Sequence, residues 1–172
     1  MRSKILPIIL TIFFIFCFFV FFKGLENSNN YIPDKNLVKK FPSFNAKNFY
    51  DGKKINSDNL FSDKEIYLLN IWASWCLPCK KEHSILMELS KNTSIKIIGL
   101  NYKDKKNNAI NFLDELSNPY DFIFSDIDGT IAIEWGAYGV PESFLFYKNK
   151  IIKKIIGPID QNSLLEIKEL IQ

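Results

Sequence analysis

The sequence predicts an α/β domain, a mixed β-sheet flanked by helices, behind one N-terminal transmembrane helix. Three observations predict it. Ile5 to Phe22 is an uninterrupted apolar run, broken only by Thr11 and free of charge. Behind it, short apolar runs alternate with amphipathic stretches at helical spacing, the alternation that builds layered α/β folds. The pentapeptide Trp75-Cys76-Leu77-Pro78-Cys79 lies between the first clear strand and the first clear helix of that series.

The opening run spans about 27 Å as a helix, close to the roughly 30 Å hydrocarbon core of a bilayer. Arg2 and Lys4 precede it, which predicts a cytoplasmic N-terminus and an exported body. Phe21-Phe22-Lys23-Gly24 offers no small-x-small cleavage site, so residues 1–23 read as an uncleaved signal-anchor, with the lipid bilayer as a partner. Cys17, between Phe16 and Phe18, lacks the small residue expected before a lipidated cysteine and reads as a buried apolar thiol. Residues 24–40 are a polar, low-complexity linker that includes Glu26-Asn27-Ser28-Asn29-Asn30 and Pro33. The folded domain is expected over residues 41–172.

Within that domain, Asp51-Gly52 suggests a small hairpin around residues 49–53. Ile66 to Trp72 reads as a buried strand. Pro78 to Ser90 reads as a helix with Ile85, Leu86 and Leu89 on one face. Ile95 to Leu100 is a second strand, and Asn107 to Leu116 a second helix with Ile110, Leu113 and Leu116 inward. Phe122 to Phe124 is short and extended, Asp126-Ile127-Asp128-Gly129 a turn, and Ile131 to Tyr138 a further short helix. Ser143 to Tyr147 and Ile151 to Ile156 flank Lys148-Asn149-Lys150 as an antiparallel hairpin. A last helix is expected from about Ser163 to Ile171, with Ser163 and Glu166 as a capping box. There is no internal repeat and no sign of a second domain.

The net charge of +3 comes from the N-terminus. Arg2, Lys4 and Lys23 are three of the 22 basic residues, and the remaining 19 match the 19 acidic ones. A neutral body lacks the basic footprint that nucleic-acid binding needs.

The chemistry concentrates in Cys76 and Cys79. Two thiols separated by two residues at a strand-to-helix turn form a dithiol that opens and closes with little backbone motion. The first thiol stands where unpaired helix N–H groups and the helix dipole favour an anion, and the thiolate is the nucleophilic form. Export places the pair where disulfides form. A crosslink closing so short a loop contributes little stability, so exchange chemistry explains it better than structure does. Zinc calls for three or four protein ligands, and only His83 stands near the two cysteines. No metal and no cofactor beyond the dithiol is expected.

The motifs are together similar to one family. Leu68-Leu69-Asn70-Ile71-Trp72-Ala73-Ser74-Trp75-Cys76, Lys81-Glu82-His83, Gly99-Leu100-Asn101-Tyr102-Lys103-Asp104, Asn118-Pro119-Tyr120 and Trp135-Gly136-Ala137-Tyr138-Gly139-Val140-Pro141-Glu142-Ser143 resemble the DsbE/CcmG branch of the thioredoxin superfamily. The resemblance implies a thioredoxin-like fold and a membrane-anchored reductase of the bacterial inner membrane, single-pass, with its soluble domain in the periplasm. It further implies reduction of the Cys-x-x-Cys-His disulfide of apocytochrome c, with electrons from a membrane thiol reductase of the DsbD/CcdA kind.

On that resemblance Cys76 is the exposed attacking thiolate, its pKa lowered toward neutrality, and the more shielded Cys79 resolves the mixed disulfide. Pro78 falls in the first helical turn, where its missing N–H is no loss. Pro141 is a cis-proline facing the dithiol, and the backbone of Val140 pairs with an extended substrate strand. Trp72 belongs to the core, Trp75 covers the dithiol, and Trp75, Pro78, Val140 and Tyr138 line the groove. General thioredoxins carry a buried Asp where this chain has Asn70, so Glu82 or Glu142 is left to accept the exchanged proton. Glu82 also reads as a solvated helix residue, and His83 as a packing or capping side chain.

Two other functions compete. One is a general exported thiol reductase, or an oxidant that inserts disulfides; Leu77-Pro78 offers no donor to a thiolate, which favours a reducing pair. The other is a copper metallochaperone, disfavoured because no histidine follows His83.

Overall fold

The computed structural model describes residues 5–26, 42–61, 64–92 and 94–171, with side chains for 7–23, 42–61, 64–91 and 94–171. The chain divides into two compact units, Met1–Asn36 and Leu37–Gln172. In the first, α1 (Ile5–Glu26) is a helix of 22 residues. Thr11, its one polar residue in the apolar run, donates its hydroxyl to the Pro7 carbonyl at 2.8 Å. Cys17 is a free thiol, half-buried rather than buried. Among the described residues no helix is long and apolar enough to cross a membrane. Arg2, Lys4 and linker residues 27–40, Pro33 included, lie outside the described residues.

The second unit is built on one seven-stranded mixed sheet. Its strands are β1 (Asn45–Asn48), β2 (Lys54–Asn56), β3 (Ile66–Trp72), β4 (Lys96–Tyr102), β5 (Phe122–Asp126), β6 (Glu142–Tyr147) and β7 (Lys150–Ile156). They lie in the order β2-β1-β5-β4-β3-β6-β7. The central β3, β4 and β5 are parallel, and every other pairing is antiparallel. The helices are α2 (Leu77–Asn92), α3 (Lys106–Leu116), α4 (Thr130–Glu134) and α5 (Gln161–Leu170).

Residue parity explains why β3 reads as a continuous apolar run. Leu68 and Trp72 belong to a core cluster with Leu86 and Leu89 of α2, Phe112 and Leu113 of α3, and Leu164 and Ile167 of α5. Tyr67, Leu69 and Ile71 belong to a second cluster with Phe44, Trp135 of the α4 end, Phe144 and Phe146. Both faces are covered, so successive residues are all apolar. Asn70 shares the parity of Leu68 and Trp72, and this places its amide on the α2 side.

Several element ends shift by one or two residues from the sequence expectation, with β4 running on to Tyr102 and β5 taking in Asp126 from the expected turn, and three differences at helix ends have a local cause. α2 begins at Leu77 rather than Pro78, which makes Cys76 its N-cap. The short helix stops at Glu134 instead of Tyr138, because Gly136 takes φ +72° and ends the helical turn. The expected Ser163/Glu166 capping box does not form. α5 starts earlier, Asp160 is its cap, and the Ser163 N–H donates to Asp160 Oδ1 at 2.8 Å. Glu166 instead pairs with Lys153. The β6–β7 hairpin forms as expected around Lys148-Asn149, both with positive φ, as a type I′ turn requires.

Candidate redox site

β3 delivers the chain to a turn over Ala73–Trp75, and α2 receives it at Leu77. At the junction Cys76 acts as a helix cap. Its carbonyl accepts the Lys80 N–H at 3.3 Å, and the Cys79 N–H donates to its Sγ at 3.1 Å. Pro78, between them, has no N–H to leave unpaired. Cys76 and Cys79 are joined as a disulfide, with S–S 2.04 Å and Cα–Cα 5.3 Å. A negative charge arriving on Cys76 Sγ meets that N–H and the positive end of α2.

The expectation of an exposed Cys76 is corrected: it is 4 % exposed, little more than Cys79 at 2 %. The disulfide ties Cys76 Sγ to the inward-facing Cys79, and both sulfurs join the core cluster that holds Trp72. The surface there belongs to Trp75, Leu77 and Pro78.

α2 buries Cys79, Glu82, His83, Leu86 and Leu89, a stripe at helical spacing. Glu82 is only 1 % exposed, so its reading as a solvated helix residue is overturned. Its Oε1 accepts Asn70 Nδ2 at 2.9 Å, and its Oε2 accepts the Ile159 N–H at 2.7 Å. Asn70 Nδ2 also donates to Ser143 Oγ at 2.9 Å, and Asn70 Oδ1 accepts the Tyr120 hydroxyl at 2.9 Å. Burial pushes the Glu82 carboxyl up to about 7, against the two hydrogen bonds that favour its ionised form. Burial, with Glu82 nearby, also holds the Tyr120 phenol well above its ordinary value, so it stays protonated and donates.

Gly99 makes room for this network. A Cβ there would lie 2.9 Å from Trp72 Nε1 and 3.1 Å from the Tyr120 ring. Those two rings stack at 5.4 Å. His83 is a packing residue: its Nε2 donates to the Ser117 carbonyl at 2.8 Å and its ring meets Phe112 edge-on. Burial lowers its pKa.

A second wall comes from β6. Strand register sets Ile71 beside Glu142 and Asn70 beside Ser143, so the start of β6 lies next to the end of β3. The Val140–Pro141 bond is cis, and Val140 packs against the cluster that contains the disulfide. Glu142 is 2 % exposed, and its Oε1 accepts the N–H groups of Tyr138 at 2.7 Å and Gly139 at 3.1 Å. Its Oε2 has no hydrogen bond of good geometry but lies 2.9 Å from Lys154 Nζ. Tyr138 is 65 % exposed.

Sequence reasoning missed two polar anchors, Lys154 and Asp104. Asp104 follows β4. Its Oδ2 accepts the Ser74 N–H at 2.6 Å and Asn101 Nδ2 at 3.1 Å; its Oδ1 accepts Ser74 Oγ and the Lys105 N–H, each at 2.8 Å. The adjacent Lys103 carbonyl accepts Trp75 Nε1 at 3.1 Å. The two residues before Cys76 are thus clamped from β4. The Asp and Ser types carried the signal, but their separation in sequence hid it. Asp104→Ala is expected to lower stability by about 1–3 kcal/mol through the partners it strands and to shift Trp75 emission. Urea unfolding followed by tryptophan fluorescence checks both.

The Redoxin family matches residues 37–170. The chain is 38% identical over 162 residues to the thiol:disulfide interchange protein DsbE of Pseudomonas aeruginosa, covering 94% of this chain and 88% of that protein. It is 36% identical over 158 residues to DsbE of Escherichia coli K12, covering 89% and 84%. Similarity to the thiol:disulfide interchange protein CycY of Rhizobium leguminosarum bv. viciae is higher, 48%, but spans 59% of this chain and about half, 55%, of that protein. Among solved structures, a putative thiol:disulfide interchange protein DsbE from Chlorobium tepidum superposes with TM-score 0.62 at 23% identity, over 77% of this chain and 94% of that one. MTB dsbF does so with TM-score 0.66 at 18% identity, over 78% and 99%. These two establish the shared thioredoxin-like fold.

Proposed function

Because the chain belongs to the Redoxin family, among the DsbE thiol:disulfide interchange proteins, and is a thiol:disulfide oxidoreductase, we propose that it works as a reductant of the Cys-x-x-Cys-His disulfide of apocytochrome c. The observation that carries this reading is the Cys76–Cys79 disulfide capping α2, with the Cys79 N–H on Cys76 Sγ. In the reduced protein the Cys76 thiolate attacks one client sulfur. The client S–S bond breaks, its electron pair leaves on the second client sulfur, and that thiolate takes a proton. Cys79, as thiolate, then attacks Cys76 Sγ, the mixed disulfide breaks, and the first client sulfur leaves with the electron pair and takes the second proton. Two electrons and two protons have moved to the client, and Cys76–Cys79 is left as the disulfide.

Cys79 must lose its proton in the second step. Asn70 cannot take it, and Glu82 lies one helical turn further along the same buried stripe with its pKa near 7. Glu82 is the proposed proton acceptor, positioned by Asn70. Glu142 is spent on two backbone amides and Lys154, so its proposed role is to shape the loop before Pro141. Trp75, Pro78, Val140 and Tyr138 form the receiving surface, with the Val140 backbone pairing to the client strand. The charge-free apolar run from Ile5 to Phe22 in the sequence, preceded by Arg2 and Lys4, is what supports a single-pass anchor in the bacterial inner membrane, with the domain in the periplasm and residues 24–40 as tether. A membrane thiol reductase of the DsbD/CcdA kind would regenerate the dithiol.

The test is kinetic. The full chain, reduced and mixed with a synthetic Cys-x-x-Cys-His peptide disulfide, should reduce it faster than insulin. Its dithiol potential should lie well below about −120 mV, the range of a strong oxidant. A potential at that value would overturn the reductant reading. Equal rates on both substrates would leave a general thiol reductase instead.

A further inference from the structure

We propose that Lys154, on β7, is a positioning residue that locks the loop 136–142 into the shape that receives a polypeptide, and so sets the preference for polypeptide over small-molecule disulfides. One ammonium holds that loop at three points. It donates to the Gly136 carbonyl at 2.7 Å, lies 2.9 Å from Glu142 Oε2, and stands 4.3 Å from the centroid of the Tyr138 ring. The first contact fixes the start of the loop, the second its end, and the third the exposed aromatic between them. Glu142 passes the restraint back through its bonds to the Tyr138 and Gly139 N–H groups.

Packing holds Ala137, Val140 and the buried Pro141, whereas Gly136, Tyr138 and Gly139 are exposed. A Cβ built on Gly136 or Gly139 would meet nothing within 4 Å, so the backbone at both glycines runs through open space. Gly136, at φ +72°, also carries no side chain that could stiffen the turn. Backbone hydrogen bonds tie the two ends of the loop, from the Gly136 N–H to the Ile133 carbonyl at 2.8 Å, the Ala137 N–H to the Ala132 carbonyl at 2.9 Å and the Gly157 N–H to the Pro141 carbonyl at 3.0 Å. Between them, the N–H groups of Tyr138 and Gly139 are held by Glu142, which faces Lys154. The ammonium itself is well shielded, its side chain being 20% exposed, so salt screens this pair less than it would a surface pair. An ammonium has three donors, and the carbonyl and the carboxylate face two of them, while the charge addresses the Tyr138 π-face.

The consequence follows from where the loop lies. Val140 packs on the cluster containing Cys76 and Cys79, whereas Lys154 stands behind, on the strand beyond β6. A small disulfide needs only the Cys76/Cys79 pair. An extended chain needs Cys76 and the loop together, so disorder in the loop costs binding rather than sulfur chemistry. This inference rests on thiol:disulfide interchange and not on the identity of the client.

The experiment compares the pre-reduced full chain with Lys154→Met and Lys154→Arg in single-turnover reduction of insulin and of glutathione disulfide. For Lys154→Met the ratio of the insulin to the glutathione-disulfide rate constant should fall about tenfold. The loss should appear in the insulin saturation constant with the limiting rate held, while the pH profile of Cys76 alkylation stays in place. Lys154→Arg should keep the ratio within about twofold, since it retains the charge and donors. If Lys154→Met fails to fold because it strands the buried Glu142, the double variant Lys154→Met/Glu142→Gln buries no unpaired charge and should show the same fall in ratio. An unchanged ratio in a folded variant, or equal slowing on both substrates, overturns the proposal.

Discussion

Cys79→Ser is expected to accumulate a mixed disulfide between Cys76 and its client, and Cys76→Ser to accumulate nothing comparable. The asymmetry follows from the cap. The Cys79 N–H donates to Cys76 Sγ at 3.1 Å, and Cys76 lies at the positive end of α2, so charge on this sulfur is favoured over charge on Cys79, which is already inside the first turn. Around the pair, Trp75 and Leu77 are exposed beside Cys76, whereas Cys79 joins the buried stripe with Glu82, His83 and Leu86. The N–H on its sulfur and its place at the start of α2, rather than its exposure, make Cys76 the first nucleophile, and only Cys79 can then release the client. With a serine at 79 the second attack has no nucleophile, and the adduct persists until an external thiol clears it. With a serine at 76 the first attack is lost, and turnover should drop below about one-thousandth of the parent rate. Non-reducing electrophoresis of cells carrying each variant, followed by identification of the captured protein, reads both effects. Equal trapping by the two variants would reverse the order of attack.

Much of the fold was legible because its elements are periodic. β3 and β4 are continuous apolar runs between helices, α2 and α3 carry clear stripes, and Lys148-Asn149 separates two apolar runs closely enough to announce a hairpin. The dithiol was legible because two cysteines and a proline in five residues are a dense signal. The rest depended on distance in three dimensions. Glu82 falls on the stripe of Cys79, His83 and Leu86, but an acid on a helix reads as solvated until a buried partner is known. Its partner Asn70 is on a different element, and Ile159, which gives the other hydrogen bond, lies far along the chain. Asp104 and Lys154 were missed for the same reason. Ser74 is 30 residues from Asp104, and Gly136 is 18 from Lys154. A lysine in Lys150-Ile151-Ile152-Lys153-Lys154-Ile155-Ile156 looks like ordinary protection of an edge strand. The short helix reads as longer in the sequence because apolar residues continue through Trp135 and Tyr138, while the chain direction changes at Gly136.

The contribution of Glu82 to the stability of the oxidised protein is expected to fall as pH rises from about 4.5 to 7. Its ordinary carboxyl pKa of 4.5 applies in the unfolded chain, and burial raises it to about 7 in the fold. Below pH 4.5 both states hold the proton and Glu82 contributes no pH dependence. Between the two values the folded state keeps a proton that the unfolded state has released, so each rise in pH favours unfolding. Above 7 the full cost of a buried carboxylate is present, about 3 kcal/mol for that gap. Asn70 Nδ2 and the Ile159 N–H reduce this cost without removing it, because desolvation is the larger effect. Glu82→Gln resembles the protonated acid in size and polarity and cannot ionise. It should therefore match the parent near pH 4.5 and exceed it by about 3 kcal/mol at pH 8. In the reduced protein the same variant should slow resolution of the mixed disulfide, since the proposed proton acceptor is gone. Equilibrium urea unfolding of both oxidised proteins across this pH range measures the difference directly. Parallel stability curves would mean that the Glu82 carboxyl ionises in the fold as it does in water, and its proposed part in deprotonating Cys79 would fall with it.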